Sequence, residues 1–385
     1  MPEFPSTIYS KLPQAGTTIF TVMSALANEH KAINLSQGFP NFETASELIS
    51  LVNDYMRKGM NQYAPMQGIL PLRERIAEKM TALYTVSYDP ATEITITSGG
   101  TQAIYTAIAA VVREGDEVIV FEPAYDCYVP AILMHGGIPV FIPLEAPGFS
   151  IDWDKVKKRI NSRTRVIMIN SPHNPTGAVL TKADLEELDK ITSGTDILVV
   201  SDEVYEHIIF DRLKHESVCL YPSLTARSFV IFSFGKTYHT TGWKMGYCLA
   251  PAELMAEFRK VHQFMVFSAN TPIQYALADY MKQEEYYTGL PEFYQSKRDY
   301  FIQLMKPSRF KFMPAGGSYF QLLDYSDITD EKDTEYARRL TIEAGVASIP
   351  VSVFYHEPVD HKLLRFCFAK TNETLERAAE RLVKI

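Results

Sequence analysis

The sequence predicts an α/β fold: a large domain on a mostly parallel sheet, with a smaller α+β domain beside it. Three observations predict it. Between residues 93 and 250, short β-rich runs alternate with helical patterns, the signature of a doubly wound sheet. Several of those runs are apolar at nearly every position, as expected of strands covered on both faces. Beyond about residue 285 the alternation stops and strand-like runs and helices follow a different order.

The elements can be taken in chain order. The first 45 residues hold a helix-like stretch, TVMSALANEH, and then loops. They carry too little apolar surface for a core of their own, so they are expected to pack on the C-terminal part. Strands are predicted at EITIT (93–97), DEVIVF (116–121), IPVFIPL (138–144), TRVIMIN (164–170), DILVVS (196–201), SFVIFSF (228–234) and GYCLA (246–250), with helical patterns at 101–112 and 181–191. RFKFM (309–313), SYFQLLDY (318–325), a helix near 333–343, LLRFCFA (363–369) and a final helix complete the chain. The expected division is a large domain at 46–284 and a small one from 1–45 with 285–385.

Bulk properties narrow the function. A chain of 385 residues can build a large core and two domains. With 22% charged residues, a net charge of -8 and no basic run, it is a poor partner for nucleic acid or an anionic membrane. No apolar run reaches the length of a membrane span, and the polar, proline-rich start does not resemble a signal peptide. Four scattered cysteines without a C-x-x-C pair read as reduced thiols of a cytoplasmic protein.

In an open α/β sheet, ligands bind at the carboxyl ends of the strands. Six features gather there. Ser98-Gly99-Gly100-Thr101 opens a helix, where backbone N–H groups can seat a phosphate. Tyr125 places an aromatic ring after the second strand. Asn174 projects an amide from a loop fixed by two prolines and a glycine. Asp202 and Tyr205 bring a carboxylate and a phenol. Lys236 follows SFVIFSF. Gly235-Lys236-Thr237 matches the end of a P-loop, but position 230 is valine where that motif needs its first glycine. The dinucleotide fingerprint G-x-G-x-x-G is also missing. Pyridoxal phosphate (PLP), which has a phosphate, an aromatic ring and a reactive aldehyde, uses all six. It needs a lysine to hold the aldehyde and an acid beside the pyridine nitrogen. Lys236 meets the first need, and Ser233 and Lys244 are candidates to hold the phosphate.

Other residues read as structural. His356 and His361 in HEPVDH stand five apart, not four as in a zincin, so this is a surface loop and no metal site is expected. His173, His239, Cys127 and Cys367 are expected to be packing residues.

The motifs NLSQGFPNF, NQYAPMQGILPLRE, EPAYDCY, NSPHNPTG, SDEVYEHI, SFGKTYHTTGWKMGY and LLRFCFAK occur in one order over nearly the whole chain. In that order they resemble fold type I, class I PLP-dependent aminotransferases, in the branch of bacterial methionine aminotransferases and kynurenine/glutamine aminotransferases. The resemblance implies that Lys236 carries the cofactor aldehyde and Asp202 pairs with the pyridine nitrogen. Asn174 and Tyr205 would bond the ring's phenolic oxygen, and Tyr125 would stack on its face. Gly100, Thr101, Ser233 and Lys244 would bind the phosphate. Arg365 would clamp the substrate α-carboxylate, assisted by Asn174 and Gly38. Tyr63 would reach the phosphate of a neighbouring subunit, making the active unit a homodimer.

Two positions depart from relatives. Lys244 stands where many carry Arg, and Thr101 where some kynurenine enzymes carry Tyr. The expected side-chain pocket draws on Phe20, Phe39, Tyr63, Tyr125 and Phe354, and no second arginine in the motif loops awaits a side-chain carboxylate. The expected reaction moves the amino group of methionine, or another apolar or aromatic amino acid, to a 2-oxo acid. The alternative is a carbon–sulfur β-lyase on the same scaffold. A regulator with a PLP-fold domain would need a DNA-binding extension, for which this chain has no room.

Overall fold

The computed structural model describes residues 8–357 and 359–385. Among these residues lie twelve strands: β1 Ile33–Asn34, β2 Ile94–Thr97, β3 Glu117–Glu122, β4 Ile138–Pro143, β5 Thr164–Asn170, β6 Leu198–Asp202, β7 Ser228–Ser233, β8 Gly246–Leu249, β9 Phe320–Asp324, β10 Val346–Ala347, β11 Ile349–Pro350 and β12 Leu363–Cys367. Seven form one sheet in the order β2-β8-β7-β6-β5-β3-β4. Its neighbouring strands pair in parallel except where β8 pairs, antiparallel to both β2 and β7. All seven predicted runs are therefore strands, with ends shifted by a residue or two.

The near-continuous apolarity of the runs is explained by two cores. Alternate strand residues point to opposite faces. Ile119, Phe121, Ile167, Ile169, Val199, Val230 and Phe232 enter one core. Val118, Val120, Val166, Met168, Val200, Phe229 and Ile231 enter the other. Each such side chain contributes about 1.5–3 kcal/mol by leaving water, so neither face tolerates a polar stripe. The helix Gly100–Val111 covers the second face together with Ala252–Met265.

The first core runs on into the C-terminal part, through Tyr319, Leu323, Leu364 and Phe366. There β9, β12 and β11 form an antiparallel sheet, and β1 pairs in parallel with β10. The N-terminal segment thus adds a strand to the C-terminal part. Two details differ from the sequence reading. RFKFM makes only an isolated bridge, between Lys311 and Asp324, because Pro314 follows at once and cannot donate to a ladder. The helix near 333–343 is α-helical only over Asp333–Arg339; Leu340–Ala344 is a π turn, closed by Gly345 at φ 68°. No helix among the described residues is long and apolar enough to cross a membrane.

Candidate active site

Strand register assembles the site. Asn170 lies opposite Asp202 and Asp202 opposite Ile231, so β5 and β6 end level and β7 runs two residues further. Their last residues, Asn170, Asp202 and Ser233, line one cleft of about 270 Å3. Lys236 stands in the single helical turn Phe234–Thr237 that follows β7.

The lysine is held from the C-terminal side. Its Nζ donates to Tyr319 Oη at 2.7 Å and to the Gly38 carbonyl at 3.2 Å. Tyr319 Oη in turn donates to the same carbonyl. The ammonium also lies 5.4 and 5.3 Å from the ring centres of Tyr205 and Tyr319. Burial pushes Lys236 down to about 8, with Lys244 and Arg365 acting in the same direction. A substantial share of this amine is therefore neutral near pH 7–8, as a nucleophile must be.

Asp202 is 4% exposed. Its Oδ2 accepts from Tyr128 Oη at 2.6 Å, and its backbone carbonyl accepts from Asn170 Nδ2 at 2.8 Å. Burial still pushes its carboxyl up to about 6. A carboxylate so placed is stabilised by an arriving cation.

At the far end of the cleft, Gly99 has φ 81° and caps the helix that begins at Gly100. Lys244 also adopts a left-handed conformation, φ 56°, which a non-glycine residue takes only at a cost. A methyl on Gly99 would stand 3.5 Å from Lys244 Nζ. Backbone N–H groups of a helix N-terminus, the Ser233 hydroxyl and an ammonium thus converge, a set suited to phosphate.

Arg365 on β12 is 1% exposed. Its Nη1 donates to Asn174 Oδ1 at 2.7 Å and its Nη2 to the Ser36 carbonyl at 3.0 Å. Both acceptors are uncharged. Its guanidinium carbon lies 3.9, 5.2 and 5.4 Å from the ring centres of Phe320, Phe20 and Phe354. Burial pushes even this guanidinium down, to about 10.

Of the residues expected from sequence, Phe20, Gly38, Gly100, Thr101, Tyr125, Asn174, Asp202, Tyr205, Ser233, Lys236, Lys244 and Arg365 line this one cleft. Phe354 is buried behind it, against Phe20 at 6.0 Å. Two residues lie elsewhere on the chain. Phe39 is 45% exposed, and its ring sits beneath the Lys370 ammonium at 4.9 Å. Tyr63 is 81% exposed and packs edge-on against Phe267. His173 and His239 are pushed down to about 4 by burial, hence neutral. Sequence reasoning missed Tyr319, Tyr128 and Asn170. Asn170 could have been found, since it ends a predicted strand as Asp202 does. Tyr319 and Tyr128 carry no local signal.

A buried lysine whose amine loses its proton more readily than usual, a buried carboxylate and an anion seat at the carboxyl edge of a mostly parallel sheet define a fold type I PLP-dependent enzyme. The chain belongs to the family of aminotransferase class I and II, whose family model matches residues 30–382. It is 51% identical over 374 residues to the methionine aminotransferase of Escherichia coli, covering 97% of each chain. It is 33% identical to human kynurenine–oxoglutarate transaminase 1, covering 93% of each. The solved structure of Escherichia coli YbdL, described as having methionine aminotransferase function, superposes with a TM-score of 0.97 at 50% identity, over 99% of this chain and 100% of that one. The protein is a PLP-dependent aminotransferase. The residues present fit that cofactor: Asp202 offers the buried carboxylate that a protonated pyridine requires, and the Gly99–Thr101, Ser233 and Lys244 set offers the phosphate seat.

Proposed function

We propose that this enzyme moves the amino group of methionine, or of another apolar or aromatic amino acid, to a 2-oxo acid. The observation that carries this is Arg365: a buried guanidinium with only neutral hydrogen-bond acceptors, walled by the rings of Phe20, Phe320 and Phe354. A planar guanidinium suits the α-carboxylate. The rings around it favour an apolar side chain at about 25 cal/mol per Å2, and a thioether gains further contacts with them. No second arginine lines the cleft among the described residues. A side-chain carboxylate would therefore lose its water without gaining a partner. The similarity to an Escherichia coli methionine aminotransferase supports the same reading.

PLP, when bound, supplies the carbonyl that takes up the amino group and the electron sink that acidifies the donor's Cα–H. In our reading Lys236 would hold the cofactor by its aldehyde, and its free Nζ would move the donor's Cα proton as general acid–base. Tyr319 and the Gly38 carbonyl orient the lysine Nζ. Asp202 would keep the ring nitrogen protonated, with Tyr128 holding the carboxylate in place. Asn174 and Tyr205 would bond the ring's phenolic oxygen, and Tyr125 would cover its face. Gly100, Thr101, Ser233 and Lys244 would bind the phosphate. Tyr63, with Phe267, faces outward from its own chain and is assigned to a partner's phosphate seat in a homodimer. The division into domains at 46–284 and at 1–45 with 285–385 is supported by the separate grouping of the sheets. The scattered cysteines support a reducing compartment such as the cytoplasm. The β-lyase alternative is not favoured.

Steady-state kinetics with methionine and aspartate as donors test the substrate assignment. Methionine is expected to have the higher kcat/KM; a better rate with aspartate overturns it. Borohydride reduction is expected to fix the cofactor to the peptide containing Lys236, and labelling of any other lysine overturns that role.

A further inference from the structure

The HEPVDH loop does more than its surface position suggests. Glu122 is the last residue of β3, and its side chain is 2% exposed. It faces a segment from the other end of the chain. The backbone N–H of His356 donates to Glu122 Oε1 at 2.5 Å, and His356 Nδ1 lies 2.8 Å from Oε2. Both oxygens of one buried carboxylate are thus engaged by one residue. The imidazole also lies flat on Phe141 of β4, with centroids 4.0 Å apart and planes at 7°. Two residues earlier, the Phe354 carbonyl accepts from the Ala124 N–H at 2.8 Å. Four contacts therefore tie residues 354–356 to β3, β4 and the loop that follows β3.

The same segment is anchored on its other side. Asp333 accepts from the Ser352 N–H at 2.7 Å and from its hydroxyl at 2.6 Å. Phe354 lies between the two anchors, and its ring forms part of the wall around Arg365.

We propose that Glu122 and His356 form a latch that fixes Phe354 behind Phe20 in the wall of the donor pocket, making both positioning residues for the donor's side chain. The inference rests on the reading of Arg365 and its aromatic wall given above. A long apolar side chain needs the Phe20 face that the Phe354 ring backs, whereas alanine, with only a methyl group, does not. His356 is itself half-exposed, so its replacement leaves both cores untouched.

The test uses His356→Ala and His356→Asn in the PLP-loaded enzyme. Asparagine places an amide N–H where Nδ1 stands. In His356→Ala, KM for methionine and phenylalanine is expected to rise about 10-fold, the scale of a lost contact in an apolar pocket. KM for alanine, kcat and the cofactor absorbance should stay as in the unaltered enzyme. His356→Asn should recover most of the loss. Hydrogen exchange read by mass spectrometry should speed up about 10-fold or more in the peptide 351–357 alone, as a local opening requires. Unchanged exchange, unchanged KM for methionine, or an equal rise in KM for alanine overturns the proposal. If the unaltered enzyme prefers aspartate, the substrate reading fails, and the exchange measurement alone then decides the latch.

Discussion

Arg365 donates to Asn174 Oδ1 at 2.7 Å, and Asn174 is itself held by its backbone N–H on Asn170 Oδ1 at 2.9 Å. The guanidinium is thus aimed by neutral acceptors and makes no direct ion pair among the described residues. A carboxylate common to all donors is its natural complement. Arg365→Ala is expected to lower kcat/KM by about 100- to 1000-fold, from the loss of two charge-assisted hydrogen bonds. The loss should be the same for methionine, phenylalanine, leucine and alanine. Phe20→Ala should instead reorder them, which a four-donor kinetic comparison reads directly.

Asp202→Asn separates function from stability. Burial pushes the native carboxyl up from 3.8 to about 6. Between those values the folded protein holds a proton that the unfolded chain has released, so this group costs stability as pH rises through that window. In the cofactor-free protein, Asp202→Asn should leave Tm unchanged near pH 3.5 and raise it by about 1–3 °C at pH 7.5. Transamination should collapse at every pH. Calorimetry at the two pH values decides it, and a lower Tm for the variant at pH 7.5 contradicts the account.

Gly246 lets β8 pass close to the phosphate seat. A Cβ there would meet the Phe232 carbonyl at 2.7 Å, Gly99 C at 3.0 Å and Gly100 N at 3.1 Å. Gly246→Ala must therefore displace backbone on both sides, at a cost of about 1–3 kcal/mol. The expected result is weaker PLP binding in an absorbance titration. Gly242, in the turn that precedes β8, has nothing within 4 Å of its Cβ position, so Gly242→Ala should bind PLP as the unaltered protein does.

Tyr63, Phe264 and Phe267 are 81%, 87% and 51% exposed, an aromatic rim that a second subunit would cover. Lys236→Ala and Tyr63→Ala are each expected to be impaired. A re-assorted mixture should regain activity, since random pairing leaves about a quarter of the sites intact. Full activity of a monomer at high dilution would contradict shared sites.

Much of this site could be read from the sequence because one topological rule places it. Residues just past strands 93–97, 116–121, 164–170, 196–201 and 228–234 share one edge of the sheet, whatever lies between them. The rule does not reach contacts made from the far side. Tyr319 and His356 come from the C-terminal part, and their partners, Lys236 and Glu122, are 83 and 234 positions away in sequence. The sequence reading places Phe39 in the pocket. Its ring instead turns outward to Lys370, whose ammonium donates to the Phe39 carbonyl at 2.6 Å. The helix near 333–343 has a helical pattern throughout, and nothing in that pattern marks where the α turns give way to a π turn.

The antiparallel setting of β8 has a consequence for how such an enzyme can diversify. The turn that carries Lys236 and Lys244 is pinned at both ends by hydrogen-bonded ladders, β7 on one side and β8 on the other, so an insertion there would throw the lysine out of register. The rings around Arg365 come from stretches remote in sequence: Phe20, Phe320 and Phe354. Reaction chemistry and substrate preference are thus encoded in largely separate parts of the gene. A lineage can rewrite the second by altering the chain's two ends, provided it keeps Gly38, Tyr319 and Arg365, since the first two reach from those ends to hold Lys236.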